Sequence, residues 1–139
     1  MKILILCTGN SCRSQMAHGF LQSFSKELQV FSAGTVPAAQ VNPKAVEVMK
    51  EAGIDISHHR PRNVQEYLNE SWDYVITVCG GANETCPAFT GKVKHRLHIG
   101  FEDPSEAKGP DEFVMNEFRR VRDEIKAAFE KLYHTVIKK

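Results

Sequence analysis

The sequence predicts an open α/β sheet, mainly parallel and four-stranded, flanked by helices on both faces. Three observations predict it. Short apolar runs alternate with segments of helical period along the whole chain. The first run, Lys2 to Cys7 (KILILC), has no polar alternation after Lys2, as suits a central parallel strand covered on both sides. Another, Asp73 to Val78 (DYVITV), is the clearest β-branched strand.

The remaining elements follow in order. From Ser14 to about Glu27, Met16, Ala17, Phe20, Leu21 and Phe24, with Leu28 just beyond, recur at three- and four-residue steps, an amphipathic helix. Gln29 to Ala33 reads as a short strand closed by Gly34. Asn42-Pro43 reads as an N-cap followed by proline at the first helical position. Ala45, Val46, Met49 and Ala52 give that helix its stripe, and Gly53 is placed to end it. A short helix is expected after Asn63, with Val64, Tyr67 and Leu68 facing inward. Lys94 to Ile99 alternates weakly and is expected as an outer strand. Gly109-Pro110 opens a long terminal helix with Phe113, Val114, Phe118, Val121, Ile125, Ala128, Phe129 and Leu132 on one stripe.

The 139 residues, without repeats or long linkers, make one domain spanning 1–139. Lys plus Arg is 18 and Asp plus Glu 17, a formal net charge of +1. That balance argues against nucleic-acid or membrane-surface binding driven by bulk charge. The apolar stretch Ile3 to Leu6 is too short for a signal core or a span. The expectation is a cytoplasmic monomer with no nucleic-acid or membrane partner. In that compartment four cysteines are buried hydrophobes, metal ligands or reactive thiols rather than structural disulfides. Neither Cys7 with Cys12 nor Cys79 with Cys86 has the two-residue gap of a zinc knuckle. His58-His59 and His98 lack a matching ligand pattern, so no metal is assigned.

The run Cys7-Thr8-Gly9-Asn10-Ser11-Cys12-Arg13-Ser14 carries the chemistry. A cysteine closes a buried strand, and an arginine opens a helix after five intervening residues. Parallel α/β sheets bind ligands beyond the carboxyl ends of their strands. The N–H groups of Thr8 to Arg13 can turn inward and join the positive helix end as an anion cradle. Gly9 and Asn10 tolerate the positive φ such a loop requires. Arg13 offers a planar fork to two oxygens of a tetrahedral oxyanion. Cys7, in the same field, is favoured as thiolate and nucleophile. Cys12 reads at least as well as loop packing.

This loop resembles the signature of the low-molecular-weight protein tyrosine phosphatase family, and the resemblance covers nearly the whole chain. It implies that Asp103, in Asp103-Pro104, is the general acid. Two activities use this scaffold. Thr77 to Pro87, with Cys79 ending a strand and Cys86 before a proline, resembles the redox segment of thioredoxin-coupled arsenate reductases in the family. Hydrolysis needs only the first cysteine, whereas thiol–disulfide exchange needs the others. The stretch Ser105 to Gly109 also lacks the aromatic wall of tyrosine-specific members.

The resemblance implies a relay from arsenate to thioredoxin. Cys7 attacks arsenate, Cys79 attacks Cys7 as arsenite leaves, and Cys86 resolves Cys79, leaving Cys79–Cys86 for thioredoxin. Ser14 is expected to hydrogen-bond the Cys7 sulfur. The resemblance extends to potassium at Asn10 and Ser32, a site that varies within the family. The alternatives are a protein tyrosine phosphatase and an oxyanion-responsive binding module. If Gly80 to Cys86 were helical, Cys79 and Cys86 would stand about 10.5 Å apart in rise. A disulfide spans Cα atoms only to about 7 Å. The segment must therefore unwind or fold back, which Gly80 and Gly81 ease. Arg60, Arg62, Lys92, Lys94, His95 and Arg96 read mainly as solvated surface, and Trp72 as packing.

Overall fold

The computed structural model describes residues 1–79 and 89–138. Strand β1 is Lys2–Cys7, as its apolar run requires. Helix α1 (Arg13–Phe24) starts one residue before Ser14 and stops short of Glu27, because Ser25 turns extended at φ −158° and ψ 133°. Gln22 donates from its side-chain amide to Ser25 O and Leu28 O, tying that exit to β2 (Gln29–Gly34). Helix α2 (Pro43–Glu51) has the expected cap, with Lys44 N–H donating to Asn42 Oδ1 at 2.9 Å. The chain then turns through Gly53 at φ +83°.

A 3-10 turn at Val64–Tyr67, closed by a capping box between Asn63 and Glu66, is the short helix expected after Asn63. Strands β3 (Ser71–Thr77) and β4 (Lys92–His98) and helix α3 (Asp111–Leu132) complete the set, and a π-helical turn ends it at Tyr133–Ile137. No helix among the described residues is long and apolar enough to cross a membrane.

The four strands form one sheet in the order β2-β1-β3-β4, every pairing parallel. Among the described residues its two faces are covered unequally. Ile3, Ile5, Tyr74 and Ile76 pack under α1, α2 and α3 through Phe20, Met49, Phe118 and Phe129. On the opposite face Leu4, Leu6, Trp72 and Val75 meet Phe89 and the 3-10 turn through Val64 and Tyr67.

Two side chains depart from the expected stripes. Phe113 is 50% exposed, its ring lying beside Gly109 rather than in the core. Ala52 is exposed at the end of α2, and Val48, one step along the same face, is buried in its place.

Register puts the site at one end of the sheet. Cys7 pairs with Gly34, and Leu6 with Thr77, so the carboxyl ends of β1, β2 and β3 stand level. Gly34 lets this end close tightly, because a Cβ there would lie 2.3 Å from Thr8 O.

Candidate active site

Cys7 ends β1 and Arg13 begins α1, and both are 3% exposed. The loop between them is held from outside by three backbone bonds. Val36 N–H donates to Thr8 O at 3.0 Å, Ala38 N–H to Gly9 O at 2.9 Å, and Asn42 N–H to Ser11 O at 3.0 Å. In a trans peptide the next N–H points opposite its carbonyl. Hence the amides of Gly9, Asn10 and Cys12 face away from the 36–42 segment. The first turn of α1 carries no acidic side chain to offset its positive end. Loop and helix together can therefore bind a tetrahedral anion.

Arg13 is aimed by the far end of the chain. Its Nη1 donates to Phe101 O at 3.2 Å, and its Nη2 lies 3.6 Å from Asp103 Oδ2. Asp103 itself caps the turn Pro104–Glu106, accepting from Ser105 N–H and Oγ–H at 2.9 and 2.7 Å through Oδ1. Its other oxygen is the one that faces Arg13. The structure thus brings Asp103 to the loop, although nearly ninety residues separate it from Arg13 in sequence.

Burial pushes the Cys12 thiol up to about 12, with neighbouring Asp103 and Cys7 adding to the rise and the Ser11 hydroxyl and Arg13 opposing it. Cys12 is thus a protonated packing group at neutral pH. Ser14 is buried, and its Oγ accepts from Asn10 Nδ2 at 2.7 Å, which leaves the Ser14 hydroxyl hydrogen to donate elsewhere.

Cys79 lies two residues past the end of β3 at Thr77, where the strand stops earlier than the cysteine expected to close it, and is fully buried. Val78 N–H donates to Leu6 O at 2.9 Å, which brings the chain past Thr77 alongside Cys7. Cys79 is disulfide-bonded, whereas Cys7 and Cys12 are thiols. Cys86 and the Gly80-Gly81 pair lie outside the described residues.

The two residues matched to a potassium site both have polar partners within the protein. Asn10 Oδ1 already accepts from Gln15 Nε2 at 3.2 Å and from Arg62 N–H at 2.9 Å. Ser32 Oγ is 3.0 Å from His18 Nδ1. Of the basic surface residues, Arg62 pairs with Glu66 at 3.7 Å and Lys94 with Asp73 at 3.4 Å, both in solvent.

Sequence reasoning passed over Gln15 and weighed His59 only as a metal ligand, yet the two meet beneath the loop. Gln15 is 1% exposed. Its one local signal is a polar residue beside Ser14 and Met16 in the first turn of a helix that opens an anion loop.

A strand-end cysteine, a cradle of inward amides, a buried arginine and a distant aspartate define a phosphatase-type loop on a parallel sheet. The chain matches the low molecular weight phosphotyrosine protein phosphatase family over residues 2–139 and belongs to it. Within that family it is similar to arsenate reductases. It is 51% identical over 124 residues to the arsenate reductase of Halalkalibacterium halodurans, with 88% of each chain covered. A solved arsenate reductase in its reduced state superposes with a TM-score of 0.77 at 30% identity, covering 97% of this chain and 98% of that one. A thioredoxin-dependent arsenate reductase of Corynebacterium glutamicum superposes at 0.58 and 28% identity, covering 93% of this chain and 61% of that one.

Proposed function

We propose that this chain reduces arsenate to arsenite by passing an electron pair through Cys7, Cys79 and Cys86, with thioredoxin as final reductant. One observation carries the reading: the parallel register sets the buried Cys79 one residue beyond the level of Cys7, just past the end of the adjacent strand. With strands about 4.8 Å apart and a rise of about 3.3 Å per residue, the two Cα atoms would stand about 6 Å apart. A disulfide spans that Cα distance once the chain past Thr77 turns the Cys79 side chain to the Cys7 side of the sheet. A hydrolase has no use for a second cysteine there.

The anion loop binds arsenate through the amides of Thr8 to Arg13, and the Arg13 guanidinium grips two of its oxygens. Cys7 attacks arsenic as a thiolate. Asp103, on the Arg13 side of the pocket, gives its proton to the departing oxygen, which leaves as water. The product is a Cys7–arsenic(V) thioester. Cys79 then attacks the Cys7 sulfur as the sulfur–arsenic bond breaks. The bonding pair goes to arsenic, arsenite leaves, and Cys7 and Cys79 are joined. Ser14 donates its hydroxyl to the Cys7 sulfur, favouring it as nucleophile and as leaving group. Cys86 next displaces Cys7 from Cys79, and thioredoxin reduces the Cys79–Cys86 bond.

The test is arsenate-dependent NADPH consumption coupled through thioredoxin and its reductase. Cys7→Ser, Cys79→Ser and Cys86→Ser should each abolish sustained turnover, and only Cys86→Ser should still release about one arsenite per chain. Full turnover without Cys79 and Cys86, or aryl-phosphate hydrolysis with no arsenate-dependent consumption, would overturn the reading.

A further inference from the structure

A largely buried polar cluster under the anion loop includes side chains that the relay does not use. At its centre is Asn10, at φ +51°, the one non-glycine residue with positive φ among those described. Gln15 Nε2 donates toward Asn10 O at 3.1 Å and Asn10 Oδ1 at 3.2 Å, with Arg60 O at 3.3 Å. Three acceptors surround that nitrogen, so the amide orientation is set by its partners. Gln15 Oε1 in turn must accept, and it does so from His59 Nδ1 at 2.9 Å. The His59 ring lies against His18, centroids 4.4 Å apart, and His18 Nδ1 reaches Ser32 Oγ. The strut runs from β2 through two imidazoles and one amide to the loop.

We propose that Gln15 is a positioning residue for oxyanion binding: held by His59, its amide locks Asn10 in the left-handed conformation and so aims the loop's N–H groups. This rests on the reading that the loop binds a tetrahedral oxyanion. Left-handed backbone is unfavourable for residues with a Cβ and persists only where the surroundings over-determine it. Here the over-determination is visible: Asn10 accepts twice from Gln15, accepts from Arg62 N–H and donates to Ser14 Oγ. Without the Gln15 donors the loop keeps its length and sequence but loses the conformation that orients its amides.

Two variants isolate the donors. Gln15→Met keeps the volume without N–H groups, and Gln15→Glu keeps the shape but sets an acceptor against three carbonyl oxygens. Inorganic phosphate binding to the reduced protein, followed by calorimetry from pH 5 to 8, reads the loop directly, and arsenate kinetics read its use. For Gln15→Met, phosphate Kd and arsenate KM should both rise about tenfold while kcat changes by less than about twofold. Gln15→Glu should bind still more weakly than wild type at pH 8 and recover relative to wild type toward pH 5, where a protonated acid donates to Asn10 again. If either substitution prevents folding, His59→Phe keeps the ring but not the bond to Gln15, and should raise phosphate Kd by about threefold. Wild-type Kd and KM in a folded Gln15→Met, or a pH-independent deficit in Gln15→Glu, would overturn the inference. If wild type itself bound no phosphate, the oxyanion reading would fall and this inference with it.

Discussion

Gly34→Ala tests how closely the end of β2 must approach the anion loop. The added Cβ would stand 2.3 Å from Thr8 O, 3.0 Å from Thr8 C and 3.1 Å from Asn10 N, all backbone atoms. Thr8 O would have to retreat by about 0.7 Å simply to reach 3.0 Å, and further to reach ordinary contact. Overpacking of this kind destabilises by about 1–3 kcal/mol. The displaced atoms belong to the cradle, and a misplacement of about 1 Å in a reacting geometry lowers rates by up to about 100-fold.

Gly19→Ala is the control away from the cradle. Its Cβ would meet Ile56 Cγ2 at 2.8 Å and Met49 Cε at 3.0 Å, side-chain tips in the helical layer. Urea unfolding should show the smaller stability loss for Gly19→Ala, whose neighbours are movable side-chain tips and whose helical position gains about 1 kcal/mol from alanine, and arsenate reduction should show a large fall in kcat/KM for Gly34→Ala alone. Equal kinetic losses in the two variants, or wild-type kinetics in Gly34→Ala, would refute the idea that this approach shapes the cradle.

The histidine pair predicts an acid limit to stability. Burial holds His18 down at about 3, helped by nearby His59 and His58 and opposed by a backbone bond to Val30; burial likewise holds His59 at about 4, helped by His58 and opposed by Asp55. Both are lowered from 6.5, so their stabilisation is complete above about pH 6.5 and is lost as pH falls toward 4 and 3. At pH 5 His18 alone accounts for at most about 2 kcal/mol of loss. His18→Gln should flatten the fall in urea midpoint between pH 7.5 and 5, and an unaltered slope would contradict it. The raised Cys12 thiol predicts that alkylation of the folded protein at pH 8, mapped by peptide mass, leaves Cys12 unmodified. Modification of Cys12 as fast as in unfolded chain would show it accessible and ionised.

Local pattern carried the fold a long way. An unbroken apolar run is enough to bound β1 at Lys2 and Cys7, and Asn42-Pro43 locates the start of α2. Phe113 shows the limit of periodicity, which assigns a face but not whether a neighbour covers its first turn. In the site, Cys7, Arg13 and Asn10 were legible because one loop holds them in consecutive register. Gln15 was not, since its meaning lies in His59, forty-four positions away, just as Asn10 depends on Arg62 fifty-two positions away. Burial of a polar side chain is a tertiary fact, and a single sequence shows it only after the fold is drawn.

The proposed relay turns on Cys79 taking over the Cys7 sulfur as arsenite departs. The most direct measurement is one arsenate turnover by fully reduced Cys86→Ser, quenched in acid and mapped by peptide mass spectrometry. The account predicts a disulfide joining the Cys7 and Cys79 peptides, in amounts matching the arsenite released. Arsenite released while both cysteines remain thiols, or with Cys7 joined to Cys12 instead, would contradict it.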